Sequence, residues 1–376
     1  MIAYLDNSAT TRPCPEAVEA VGQMLTDCWG NPSSVHRLGI EAHHRLELAR
    51  RQVAEAMGAA PERVFFTSGG TEADNWAVFS SAKRMGKQGR HIITTSVEHH
   101  AILHPMQRLR ERGFEVTLLQ PDALGRISLE QLDAALRDDT ILVSVMMVNN
   151  ETGAVMPIEK MAKLVHRRCP RAIFHTDAVQ GFFKVPFRAK TLGADLISVS
   201  GHKIHAVKGI GALYIRPELP LPAYLHGGGQ EKNFRSGTEP LPAICAMGAA
   251  CAAALPTVRG DIARQAQLRD DLIARLSGME GVQILGAHDA PHIVSLSLPG
   301  IPSQNTINLL QEHGVFVSAG SACSRGKRSH VLEALGLAPE VIDGSIRVSL
   351  SRFTEPGEID LLIGGLEAVL ERMGKR

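Results

Sequence analysis

The chain has 376 residues, 44% of them hydrophobic and 21% charged, an ordinary globular composition that excludes a disordered, collagenous or coiled-coil protein. Lys and Arg number 40 against 39 Asp and Glu, so the formal charge is +1; with no polybasic tail, neither nucleic acid nor an anionic membrane surface is an expected partner. The length predicts two domains, or one large domain with a smaller companion.

The N-terminal MIAYLDNSATTRP puts Asp6 where an export signal needs an uninterrupted apolar run, so no export is expected. Helices are predicted over residues 16–28 and 39–57. From Val64 to Arg216 short apolar runs alternate with amphipathic stretches: VFFT and a helix from Thr71, HIITTS and a helix through Ile102 and Leu109, then EVTLL, ILVSVMMV, AIFHTDA, LISVS and GALYI. Runs such as Ile141 to Val148 are apolar without alternation, as strands covered on both faces are, and predict a mostly parallel central sheet, with GALYI a candidate antiparallel member. A long Ala-rich helical stretch follows Pro242 and continues through Gln265, Leu268, Leu272 and Leu276. Its most apolar part, the 13 residues Ala243 to Leu255, falls short of the roughly 20 that span a bilayer and reads as a buried helix. HIVSLSL, a helix near Asn305 to Glu312, VFVSAG, IRVSLS and a final helix from Pro356 to Met373 complete a smaller α+β unit, with the boundary expected within residues 245–280. Six cysteines (Cys14, Cys28, Cys169, Cys245, Cys251, Cys323) form no CxxC pair, which predicts reduced thiols, five of them simply packed.

Three segments at strand ends carry chemistry. Thr67-Ser-Gly-Gly-Thr-Glu-Ala-Asp-Asn75 joins a strand to a helix, so backbone N–H groups at the helix N-terminus and the Thr71 hydroxyl suit a phosphate; taken alone, the segment reads rather as a Gly-rich turn with Thr71 as N-cap. It is neither GxGxxG nor a Walker loop. Ser198-Val-Ser-Gly-His-Lys-Ile204 places Lys203 where α/β sheets build their sites; such a lysine condenses with an aldehyde, although most lysines are merely solvated. His175-Thr-Asp-Ala-Val-Gln180 brings Asp177 and Gln180 to the same edge, and an acid there suits a protonated pyridine nitrogen. The conjunction points to pyridoxal 5'-phosphate. His100 and His104 stand four apart without the glutamate of an HExxH site, and they read with His202 and His205 as surface or core histidines rather than metal ligands.

A fourth segment, Val317-Ser-Ala-Gly-Ser-Ala-Cys-Ser-Arg-Gly-Lys-Arg-Ser329, sets Cys323 among small residues and three cations. That setting favours a thiolate, and the glycines predict a mobile loop able to carry a group elsewhere.

At this point the chain resembles the NifS/IscS-type cysteine desulfurases of the class V aminotransferase family over nearly its whole length. The matching stretches are YLDNSATT, NPSSVH, TSGGTEADN, SVEHH, VNNETG, HTDAVQ, SVSGHK, GGGQEKNFRSGTE, GSACS and IRVSLSRFT. The resemblance implies an α/β protein of fold type I, with a large cofactor domain over residues 15–255 and a small α+β domain of residues 1–14 and 256–376, working as a homodimer. By position, Lys203 resembles the residue joined to pyridoxal 5'-phosphate, and His99 the imidazole that stacks on its ring and moves protons. Asp177 would pair with the ring nitrogen and Gln180 with the phenolic oxygen. Thr71, Ser200 and His202 would line the phosphate, with Thr238 entering from the second subunit, and Gly70 and Asn150 would also bind the cofactor. Asn150 and Arg347 would hold the amino acid's carboxylate, and Cys323 resembles the sulfur-accepting cysteine.

The implied reaction turns L-cysteine into L-alanine and leaves a persulfide on Cys323. That sulfur is then passed to an acceptor such as an iron-sulfur scaffold or a tRNA-thiolation enzyme, in the cytoplasm and without membrane or direct nucleic-acid contact. The loop after Cys323 resembles the longer-loop branch, but Arg325, Lys327 and Arg328 depart from its more neutral pattern, and they suit an acidic acceptor surface or are only solvated. A selenocysteine lyase and another class V aminotransferase are the enzyme alternatives, the latter without a use for Cys323. A sulfur-carrier scaffold that has lost catalysis would have no use for Lys203, Asp177 and His99 together.

Overall fold

A computed structural model describes residues 2–319 and 328–373. Thirteen strands are described: β1 (Ala3–Tyr4), β2 (Val64–Thr67), β3 (His91–Thr95), β4 (Glu115–Leu119), β5 (Thr140–Ser144), β6 (Ile173–Asp177), β7 (Leu196–Ser200), β8 (Gly211–Ile215), β9 (Gln283–Leu285), β10 (Ile293–Ser297), β11 (Val315–Phe316), β12 (Ser318–Ala319) and β13 (Ser345–Ser349). Seven form one sheet in the order β2-β8-β7-β6-β5-β3-β4. Pairing is parallel from β7 through β4, and β8 lies antiparallel between β7 and β2. The mostly parallel sheet expected from unalternating apolar runs is therefore present, with GALYI as the reversed strand.

Successive residues of these strands face opposite cores. Phe65, Ile92, Leu142, Ile173 and Leu196 pack on one side with the helix Gly70–Met85; their neighbours Phe66, Ile93, Val143, Phe174 and Ile197 pack on the other with Arg37–Met57, Ile158–Arg168 and Leu241–Ala254. Because both faces are covered, polar side chains on the strands are confined to where a partner or a cavity receives them.

The C-terminal strands form a second sheet, β12-β13-β10-β9, antiparallel throughout, over a core that includes Leu272, Val294, Leu310, Val348 and Leu366. The N-terminal strand β1 pairs in parallel with β11 and buries Ala3 and Leu5 in this same core. Both chain ends thus meet in one place.

Three expectations are corrected in detail. The Ala-rich stretch is two helices, Leu241–Ala254 and Val258–Ser277, meeting at 77°. The VFVSAG run splits into β11 and β12, which join different sheets. Gly69, not Thr71, is the N-cap of the helix that begins at Gly70. Among the described residues no single helix is long and apolar enough to cross a membrane. Cys14, Cys28, Cys169, Cys245 and Cys251 are all buried free thiols, as packing residues are.

Candidate active site

The parallel strands end along one edge of the large sheet, and a cavity of about 300 Å³ opens there. Asp177 closes β6, Ser200 closes β7 and leads through a short 3-10 turn to Lys203, and Thr67 closes β2 just before the helix Gly70–Met85. Eleven of the twelve residues singled out in the sequence, all but Cys323, lie in the described part of the chain. Ten of them line this cavity: Gly70, Thr71, His99, Asn150, Asp177, Gln180, Ser200, His202, Lys203 and Arg347. Thr238 is exposed on this chain's surface, outside the cavity. Cys323, Arg325 and Lys327 lie outside the described residues.

The N-terminal segment runs across the cavity and is tied to it. Lys203 Nζ donates to the carbonyls of Ser8 and Ala9, and Thr11 donates through both its N–H and its hydroxyl to the carbonyl of His202. Gln180 is held at both ends, its Nε2 donating to Ser8 O at 2.9 Å and its Oε1 accepting from His292 Nε2 at 3.3 Å. One N–H of that amide remains for a ligand. Beneath Lys203, the buried ammonium of Lys184 donates to the Lys203 carbonyl at 2.8 Å, and its burial, with the Lys203 charge nearby, lowers its pKa to about 7.

His99 caps the helix His100–Glu111, Nδ1 accepting from the Ala101 N–H at 3.1 Å, so in the neutral ring the proton sits on Nε2. Burial first, then the Lys203 charge, pulls its pKa to about 4, and the same two causes bring His202 to about 4. Burial raises Asp177 to about 6 against the Val179 N–H, which donates to its Oδ1 at 2.8 Å, and against the Lys203 charge. A cation beside Asp177 would draw that value back down.

The opposite wall is Arg347, 2% exposed. Its guanidinium donates to Asn150 O at 3.0 Å, to Asp6 Oδ1 at 3.0 Å and to Ser318 Oγ at 2.9 Å, while its buried Nε has no hydrogen-bond partner among the described residues. Beside it Glu151, raised by burial to about 7, accepts from the Ser329 hydroxyl, which also caps the helix His330–Ala334. His330 donates from Nε2 to Glu98 O at 3.0 Å, and its ring lies 4.8 Å from that of His100.

The sequence reading missed Ser8, Asp74, Glu151, His100 and His330 as cavity residues. Four of them stand inside the motifs YLDNSATT, TSGGTEADN, VNNETG and SVEHH, so the motifs were the available signal. His330 offered none.

The donor set fits pyridoxal 5'-phosphate. A phosphate would meet the first turn of the helix Gly70–Met85, where a Cβ on Gly70 would stand 2.7 Å from Val179 Cγ2, together with Thr71, Ser200 and His202. The buried Ser8 Oγ in the same cavity has no partner among the described residues. An acid, an amide with one free N–H and a lysine complete what the ring and aldehyde require. This sheet and this cavity define a fold-type-I enzyme of the pyridoxal phosphate class.

Comparison with known proteins makes the assignment narrower. Residues 3–362 match the Aminotransferase class-V family. The chain is 40% identical to a cysteine desulfurase IscS of Methanosarcina thermophila over 98% of its own length and 92% of that protein's. It is 44% identical to a cysteine desulfurase IscS of Serratia proteamaculans over 96% of this chain and 90% of the relative. A solved NifS-like protein superposes with a TM-score of 0.93 at 36% identity, covering 99% of this chain and all of the other. The chain therefore belongs to the class V aminotransferases and, within them, to the cysteine desulfurases, whose cofactor is pyridoxal 5'-phosphate.

Proposed function

We propose that this enzyme removes sulfur from L-cysteine, leaves it as a persulfide on Cys323 and hands it to an acceptor in the cytoplasm for iron-sulfur cluster assembly or tRNA thiolation. The convergence of Lys203, Asp177, His99 and Arg347 on one cavity carries the reading. The cofactor, when bound, takes up the electron pair left at the substrate's Cα. Lys203 would hold the cofactor's aldehyde carbon and, once released by the substrate's amine, take the Cα proton. Asp177 would face the ring nitrogen, Gln180 the phenolic oxygen, and Gly70, Thr71, Ser200 and His202 the phosphate. His99, with its proton fixed on Nε2, would stack on the ring and move a proton to or from the substrate. Arg347 and Asn150 would orient the α-carboxylate, for which a guanidinium edge is suited.

In the transfer itself the Cβ–S bond breaks and an S–S bond to Cys323 forms. The sulfur is oxidised as Cβ is reduced, and one proton converts that carbon to the alanine methyl, so no outside oxidant is needed. A selenocysteine substrate would pass through the same residues.

The homodimer is part of this proposal. Val18, Leu25, Trp29 and Val35, 57%, 64%, 68% and 93% exposed, give the first helix and the connection after it an apolar surface that a second copy would cover, and Thr238 stands exposed for the partner's phosphate site. So is the division into a unit of residues 15–255 and one of 1–14 with 256–376, supported by the pairing of β1 with β11. The test is alanine and sulfide release from L-cysteine with a reductant, with mass spectrometry of the Cys323 peptide on a parallel reaction run without reductant, so that the persulfide is not cleaved. Wild type should release alanine and gain one sulfur atom on Cys323; Cys323→Ala should do neither, and alanine release at the wild-type rate by that variant would remove Cys323 as nucleophile.

A further inference from the structure

Alternation along β6 puts His175 and Asp177 on one face of the large sheet, with Ser144 of β5 in register with His175 and Ser198 of β7 in register with Asp177. The helix Gly70–Met85 covers that face and presents Asp74, 1% exposed, to the cavity that Asp177 also lines. His175 is held at both ring nitrogens, Nδ1 at 2.9 Å from Ser144 Oγ and Nε2 at 2.9 Å from Ser198 Oγ. Ser198 in turn bonds the Asp74 carboxyl, whose Oδ1 has no hydrogen-bond partner among the described residues and lies 3.6 Å from His175 Nε2.

Protons can run along this row in two ways. With Asp74 ionised, Ser144 donates to His175 Nδ1, Nε2–H donates to Ser198, and Ser198 donates to the carboxylate. With Asp74 neutral every bond reverses: Asp74 donates to Ser198, Ser198 to Nε2, and Nδ1–H to Ser144. Two observations choose between them. An ionised Asp74 would bury a carboxylate oxygen without a donor, which is strongly disfavoured, whereas in the neutral acid the undonated atom is only a carbonyl oxygen. The surroundings are also wrong for a second anion. Burial first, then Asp177 and Glu98, oppose charge on Asp74 against the Ser198 bond, and His175, brought to about 3 by burial, supplies no cation; the Lys203 charge favours Asp177 instead.

We propose that Asp74 is a neutral, proton-donating acid that anchors Ser198 and His175 and confines the negative charge of this buried carboxyl pair to Asp177. It is a positioning residue, and its purpose rests on the reading in which Asp177 faces the ring nitrogen. Two adjacent carboxyls kept in different protonation states give the ring one anion of fixed place rather than a charge shared over two sites.

The experiment is infrared difference spectroscopy of the holoenzyme at neutral pH, with a visible pH titration of the bound cofactor. Wild type minus Asp74→Asn should show the carbonyl stretch of a protonated carboxylic acid, and Ser198→Ala should move that band without abolishing it. The visible midpoint of Asp74→Asn should stay within about 0.3 unit of wild type, because an amide replaces a neutral donor, whereas loss of a true neighbouring charge would shift it by about one unit or more. A difference spectrum without the acid band, or a midpoint that falls by that larger amount, overturns the proposal. Should Asp74→Asn fail to fold, Ser198→Ala alone decides, an unmoved spectrum being the negative result. Asp177→Asn separates the two readings: an unshifted visible midpoint there removes Asp177 from the ring nitrogen, while the infrared band still decides the state of Asp74.

Discussion

The wall of the cavity formed by the large sheet takes its side chains from strand ends and the turns after them, between residues 70 and 203, whereas the facing wall joins Arg347 to Asp6 across 341 positions of chain. The first wall is fixed by the register of one sheet and by buried bonds such as Lys184 to the Lys203 carbonyl. The second exists only when both chain ends have docked, β1 on β11 and β12 on β13. On the proposed function the two walls do different work: groups fixed by the sheet for bond breaking on one side, and an ion-paired guanidinium for holding a carboxylate on the other.

Substitutions on the two walls should therefore fail differently. Lys203→Ala, on the first, should cost about 10⁴-fold in kcat, the upper range for a lost general base, and abolish the native visible band; a loss under about tenfold would show that the sheet wall does not carry the chemistry. Arg347→Lys, on the second, keeps the charge but not the planar fork. The KM for cysteine should rise about 30-fold, equivalent to about 2 kcal/mol, with kcat little changed. A collapse of kcat at constant KM would erase the distinction between the walls.

The two walls were also unequally legible in the sequence. Apolar runs followed by TDA and SGHK place Asp177 and Lys203 at one edge, because a strand buried on both faces gives way to small and polar residues where it ends. No such local pattern ties Asp6 to Arg347. That pair is a product of tertiary docking, and only the resemblance named Arg347. The 77° break between Ala254 and Val258 was illegible for a related reason: Leu255-Pro-Thr lies between two stretches with helical spacing, and a proline at the start of a helix is tolerated. Asp74 was hidden differently, since an acid near a helix N-terminus ordinarily signals a favourable dipole contact rather than a buried neutral group.

pH sharpens the comparison, because the sheet wall holds histidines below their ordinary range and acids above it. His99, His202 and His175 sit at about 4, 4 and 3 through burial, against about 6.5 in an unfolded chain. Depressed histidines contribute stability above pH 6.5 that is lost as the pH falls, since only the unfolded chain then takes up the proton. Each of these histidines therefore pulls the Tm down between pH 6.5 and 4 while the raised acids act against it, and His202→Asn should lose less Tm than wild type over that interval. Glu98, raised by burial to about 8, acts in the opposite sense, its contribution being full at low pH and lost as the pH rises towards that value. Glu98→Gln should accordingly raise the Tm relative to wild type at pH 9 and not at pH 5; equal displacement at both would show that packing rather than ionisation governs this position.

The smallest effect is expected beyond the second wall, where the described chain resumes at Arg328. Arg328 forks onto Asp343, Nε to Oδ1 at 2.7 Å and a terminal nitrogen to Oδ2 at 2.8 Å, with both side chains nearly half exposed. An ion pair in that setting adds little stability, and its guanidinium charge is already matched within the chain. Of the three cations in the segment, Arg328 is thus the one least able to draw an acidic acceptor. Arg328→Gln should leave the Tm unchanged and slow transfer to such an acceptor less than about twofold at low salt, whereas neutralising Arg325 and Lys327 together should slow it more, with the difference fading as salt rises. An Arg328→Gln effect as large as that of the double variant would mean that the pair with Asp343 yields to the acceptor, and that the facing wall reaches out to the partner as well as inward to the substrate.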